Sequence, residues 1–119
     1  MEYIIFKLIN IFILIILSKE VDYKTEITKT ISGTGYHNIL SKSSQCRGIK
    51  TPINTLPQEI IINGINQTIQ RNYYNFNNSI NNITMKWVQD LTDCNNMFNN
   101  LTNIFNFDFS KFNTSKVTS

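Results

Sequence analysis

Few residues in this 119-residue chain could carry chemistry. The single histidine is His37, and the two cysteines are Cys46 and Cys94. One imidazole cannot build a multi-histidine metal site, and no nearby cysteine completes a Cys–His nucleophile. His37 stands in a strand-like stretch, where a structural or solvated role is expected. Two thiols with no histidine partner beside them fall short of the four ligands a structural zinc site requires. Asp90, Asp93 and Asp108 are too few carboxylates for an oxygen cage around a hard cation. Gly33-Thr34-Gly35 is followed by no Gly-Lys-Ser/Thr and opens no helical pattern, so it is expected to form a turn, not a phosphate cradle. No enzymatic activity, metal or cofactor is therefore expected.

Two modification chemistries remain open. In an oxidising compartment Cys46 and Cys94 could pair as a disulfide. Against this, Cys94 falls within an apolar series where a small buried hydrophobe suffices. Asn66, Asn77, Asn82, Asn100 and Asn113 each begin an Asn-x-Ser/Thr sequon, a candidate N-glycan acceptor on an exposed segment of an exported protein. The chain is so rich in Asn, Ser and Thr that several of these would arise by chance.

Residues 1–18 read as a secretory signal peptide. Lys7 supplies the positive charge, and Leu8 to Leu17 form an apolar run broken only by Asn10. Ten residues of helix reach about 15 Å, half the roughly 30 Å hydrocarbon core, so a cleaved signal is expected ahead of an uncleaved anchor or a buried core segment, and no membrane span is expected beyond it. The cleavage signal is poor, because Ile16 would occupy the third position before a cut after Ser18. Secretion or surface display is the expected location. The net charge of +3 is modest and unclustered, which argues against a nucleic-acid partner. Alanine is absent, and Ile, Asn, Lys, Phe and Tyr abound, so most single Asn residues are compositional background.

From Glu26 to Trp87 the pattern is largely β. Glu26 to Ile31 is rich in β-branched residues and closes at Gly33-Thr34-Gly35, with His37 to Ser41 as a return strand. Lys42 to Leu56 is polar, a loop that holds Cys46 and Pro52. Glu59 to Ile62 reads as a strand ending in Asn63-Gly64, a strong hairpin signal, with Gln67 to Phe76 as its partner. Ile83, Met85 and Trp87 alternate onto one face. Beyond this, Leu91, Cys94, Met97, Phe98, Leu101 and Ile104 recur at helical spacing, with Asp90 or Asp93 as the cap. At Phe105, Phe107 and Phe109 the period drops to two, which predicts a strand. Asn113, Thr114 and Ser115 then suit a turn.

The last thirty residues resemble the BspA-type leucine-rich repeat, also found in Mycoplasma-type surface lipoproteins. Leu91-Thr92 opens the unit, and Met97-Phe98 matches the family's Met-Phe pair. Phe107-Asp108-Phe109-Ser110 corresponds to Leu-Asp-Leu-Ser, Phe112 to the single Phe, and Thr114-Ser115 to Thr-Ser. Val117-Thr118 then begins a second unit, 26 residues after Leu91. Cys94, Leu101 and Asn113 depart from the pattern while keeping the inward positions apolar and the turn polar. In the repeat, Asp108 would have a structural turn role. A second resemblance, to the region before the repeats in large protist surface proteins, rests on Ile31 to Leu40, Pro57 to Gly64 and Asn81 to Trp87.

These resemblances imply an α+β organisation: a signal peptide at 1–18, a β-rich N-terminal cap at 19–88, and a repeat unit at 89–119. The cap would lead into the start of a leucine-rich-repeat solenoid with one short helix and one strand. They also imply a non-enzymatic protein of the secreted or cell-surface class, with a role in adhesion or protein recognition. The protein partner is undefined, and self-association through an uncapped repeat edge is a further expectation. A truncated piece of a larger surface protein, without independent function, is the alternative. A small secreted effector or enzyme is the third.

Overall fold

The computed structural model describes residues 21–48 and 55–118. The signal-like segment 1–18 and Pro52 lie outside the described residues. Among those described there are nine strands: β1 (Thr25–Ser32), β2 (Gly35–Asn38), β3 (Gln45–Gly48), β4 (Glu59–Ile62), β5 (Ile65–Asn66), β6 (Tyr73–Phe76), β7 (Ile80–Trp87), β8 (Leu91–Asn95) and β9 (Ile104–Phe112). One 3-10 turn, Thr114–Lys116, follows. Five strands form an antiparallel sheet in the order β5-β4-β7-β1-β9. Two ribbons, β2 with β6 and β3 with β8, complete the architecture.

The sheet has one apolar face, which follows from strict alternation. Ile83, Met85 and Trp87 of β7 are fully buried, as the spacing predicts. They lie opposite Lys29, Ile27 and Thr25 of β1, while Ile60 of β4 pairs with Met85. Side chains from the ribbons close over this face: Tyr74, Phe76, Cys46 and Leu91 join the same core. Each fully buried aliphatic side chain contributes about 1.5–3 kcal/mol. The opposite face is polar. There Lys111, Glu26, Lys86 and Glu59 fall in one row across β9, β1, β7 and β4, an alternating-charge line in register.

Turn chemistry matches the sequence at two places. Asn63 (φ 51°) and Gly64 (φ 82°) both take the left-handed backbone that a tight two-residue hairpin requires. Gly33 (φ 103°) and Gly35 (φ 89°) turn the chain out of β1, so that stretch is a turn as expected. The strand after it does not return along β1. β2 pairs with β6, and the hairpin partner of β4 is only the two-residue β5, not Gln67 to Phe76.

The largest correction concerns residues 91–104. The expected helix is absent, and with it the α+β class and the leucine-rich-repeat solenoid; the described residues form antiparallel β-structure instead. Leu91–Asn95 is strand β8, followed by successive turns. The physical reason lies in the asparagines. Asn96 (φ 56°) and Asn100 (φ 62°) adopt left-handed backbone, which a helix cannot contain. The Asn95 amide donates to Asp93 Oδ1 at 3.0 Å, a local side-chain bond that competes with helix. Backbone bonds Met97 N to Cys94 O, Asn99 N to Asn96 O and Leu101 N to Phe98 O make isolated three-residue turns. Three-residue turns reproduce the apolar spacing of a helix, and Met97 still reaches the core at 6% exposure. Neither aspartate caps a helix: Asp90 pairs with Lys116 at 3.1 Å, and Asp93 lies 3.9 Å from Arg47.

Candidate functional site

The aromatic edge strand and the buried cluster beneath it form the most developed site. β9 is an edge strand paired only with β1 in the sheet, and its register shifts twice along that pairing. Asn106 (φ 53°) sits at one irregularity. The shifts break the simple alternation that Phe105, Phe107 and Phe109 suggest. Phe105 registers with Thr30 of the polar face. Phe107 instead meets Phe98 at a tilt of 53°, with ring centroids 4.9 Å apart, and stacks on Phe109 at 5.3 Å and 9°. Phe109 also meets Phe98 and Phe112, each at 6.4 Å. Phe105, Phe107 and Phe109 remain 39%, 39% and 43% exposed.

Beneath Phe98 lies a residue that the sequence reading passed over. Lys29 occupies a core-facing position of β1 between Ile27 and Ile31 and is fully buried. Its Nζ lies 4.5 Å from the Phe98 ring centroid and donates to the Ile39 carbonyl. Burial pushes its pKa down from 10.5 to about 7, partly opposed by Cys46. The available signal was the alternation Thr25, Ile27, Lys29, Ile31, which places a cation in an apolar series.

Cys46 and Cys94 face one another as Cα partners across β3 and β8. Cys46 is buried, and the Ser44 hydroxyl lies 3.2 Å from its sulfur. Burial raises both thiol pKa values, that of Cys94 to about 12. A cleft of about 190 Å³ opens at Cys46, bounded by Leu40, Ser41, Ser44, Thr55 and Leu56. Elsewhere, Tyr36 and Tyr73 flank a shallow groove with Arg71 and Lys42.

The remaining sequence candidates are dispersed. His37 lies in β2, with Nε2 2.8 Å from the Thr34 carbonyl and Nδ1 3.2 Å from Asn103 Nδ2, so both ring nitrogens are engaged. Asp108 Oδ1 accepts the Ser110 amide at 2.9 Å, and that bond holds its carboxyl below the usual range. The sequon residues Asn66, Asn77, Asn82, Asn100 and Asn113 are all exposed and lie far apart along the chain. Asn66 Nδ2 donates to Glu59 Oε1 at 3.1 Å, Asn113 Oδ1 accepts from the Ser115 amide and hydroxyl, and Asn82 Oδ1 lies 3.4 Å from Thr30 Oγ1. Among the described residues, no three His, Cys, Asp or Glu side chains gather as a metal site. No described helix is long and apolar enough to cross a membrane.

No family model, curated protein or solved structure matches the chain.

Proposed function

We propose that this chain is an exported, non-enzymatic recognition module that binds an extended segment of a partner protein along β9. The observation that carries this reading is the half-exposed Phe105, Phe107 and Phe109 on an edge strand. An added strand gains affinity from main-chain hydrogen bonds and specificity from alternate side chains. Aromatic rings supply large contact area at little entropic cost. The segment best suited to this edge carries aliphatic or aromatic side chains at alternate positions.

Two further features support the reading. The apolar run Leu8 to Leu17 has the length of an export signal. The resemblance of the last thirty residues to BspA-type repeats, a class associated with adhesion, agrees with a recognition role, without the helix or solenoid of that class. The Thr118 amide and hydroxyl both donate to the Thr92 carbonyl, at 2.8 and 3.1 Å, and Lys116 reaches Asp90 at 3.1 Å. Both pairs tie the turn after β9 to the start of β8.

A displayed library of extended peptides, selected against the full chain, tests the reading. Enriched peptides should carry alternating apolar residues, shift the amide resonances of β9, and lose binding to the Phe107→Asp/Phe109→Asp variant. Binders that map elsewhere and ignore that variant would refute it. Concentration-dependent dimerisation abolished by the same variant would replace the foreign partner with a second copy. Export is tested separately by fusing residues 1–25 to a reporter, with Leu14→Arg expected to abolish secretion.

A further inference from the structure

We infer that Cys46 and Cys94 are a redox pair, closing to a cross-strand disulfide by exchange with a small-molecule disulfide that enters the cleft at Cys46. The geometry comes from the register. Cys46 and Cys94 are directly opposed on antiparallel strands, and both are free thiols. Opposed residues send their side chains to the same side, with Cα atoms about 4.5–5.5 Å apart. That separation lies within the range a disulfide spans. The cleft of about 190 Å³ gives a small oxidant a path to Cys46, whose surface is otherwise covered.

The two sulfurs have different environments, which orders the steps. Burial disfavours the Cys46 thiolate most strongly and Asp93 adds to that, while the Ser44 hydroxyl beside it and, to a smaller extent, the charge on Lys29 favour it. Cys94 has no comparable stabiliser among the causes of its shift: burial, Cys46 and Asp93 all disfavour its thiolate. Cys46, after giving its proton to solvent, attacks the small disulfide RS–SR. The new Cys46–SR bond forms as RS⁻ leaves. Cys94 then loses its proton and attacks the Cys46 sulfur, forming the protein disulfide and expelling the second RS⁻. The protein loses two electrons and two protons, and RS–SR becomes two RSH. Reduction by excess thiol runs the same steps backwards.

The consequence is a covalent tie between β3 and the segment that begins at β8. It joins positions 48 residues apart in the chain. A link of that length restricts the unfolded ensemble and raises the thermal midpoint by about 10 °C or more. This inference rests on strand register and does not depend on the proposed recognition role.

Cystamine is a suitable probe for the full-length chain, purified reduced and kept native. The expected result is a loss of two hydrogen masses and a single non-reducing peptide species that joins Cys46 to Cys94. The thermal midpoint should rise, and dithiothreitol should reverse both changes. Cys94→Ser should stop at a mixed disulfide on Cys46. Two thiols still open to alkylation after native incubation with cystamine would overturn the proposal. So would closure that occurs only after addition of denaturant. Faster capture of Cys94 in Cys46→Ser than of Cys46 in Cys94→Ser would overturn the assigned order. The wild-type mass and peptide map decide the main claim even if a variant folds poorly.

Discussion

Strand β1 has two neighbours, and they hold it by different means. Along β7 it makes eight consecutive Cα pairs without interruption, from Thr25↔Trp87 to Ser32↔Ile80. Along β9 it makes five, with two register shifts between them. The β7 side buries Ile83, Met85 and Trp87 completely, whereas the β9 side leaves three phenylalanines about two-fifths exposed. Alternation governs the first boundary, because a one-residue slip would expose every core side chain. The second boundary adds to its five backbone pairs tilted ring contacts between Phe98 and β9, which tolerate bulges because rings can meet at several angles. Bulges also discourage the edge from pairing indiscriminately, while the aromatic surface remains available to a specific partner.

The sharpest way to break this comparison is to remove one anchor from the regular side. Trp87→Ala should cost about 3–5 kcal/mol in urea unfolding, enough to leave much of the population unfolded. A loss no larger than that of an edge phenylalanine would mean that the two boundaries carry equal weight.

Lys29 belongs to both sides, since its backbone pairs with β7 and its ammonium lies under the Phe98 ring of the aromatic stack. Its pKa falls to about 7 in the folded protein from 10.5. Below pH 7 both folded and unfolded chains carry the proton, and the cost of burying the charge is fully present. Between 7 and 10.5 the unfolded chain binds more protons, so stability rises with pH. Above about 9 the raised thiol pKa values act in the opposite sense, because the unfolded thiols ionise first. Thermal melts of the reduced protein should therefore show stability climbing from pH 7 to 9. Lys29→Met should abolish the climb and stabilise the fold at pH 7 by about 2 kcal/mol, after loss of the carbonyl bond and ring contact. A flat wild-type profile would contradict the buried-cation assignment.

Effects smaller than that of Trp87→Ala are expected at the edge. Phe107→Asp with Phe109→Asp should lower unfolding free energy by about 2 kcal/mol, since each ring is only partly buried. Their effect on binding should be much larger than on stability, and equal effects would make β9 a structural element only. Asn106→Gly should be the mildest change, within about 0.5 kcal/mol of wild type, because the left-handed backbone there suits glycine. Asn106→Val should cost about 1–2 kcal/mol by comparison, a difference readable in parallel urea titrations.

What the sequence determined by itself was local: the Asn63-Gly64 hairpin, the turn at Gly33 to Gly35, and the alternating face of Ile83, Met85 and Trp87. Each is written in a few adjacent residues whose backbone preferences or period admit one reading. The run from Leu91 to Ile104 suggests a helix in the sequence because spacing of three and four fits both a helix and a succession of tight turns. Asparagine's tolerance for left-handed backbone settled the choice, together with the pairing that β3 offers to β8. Tertiary structure alone decided that β2 joins β6, that Cys46 meets Cys94, and that Phe98 reaches over β1 to cover Lys29 and meet Phe107. These contacts join residues that are distant in the chain. Such pairings are selected by the burial of a shared core, which no short window of sequence contains.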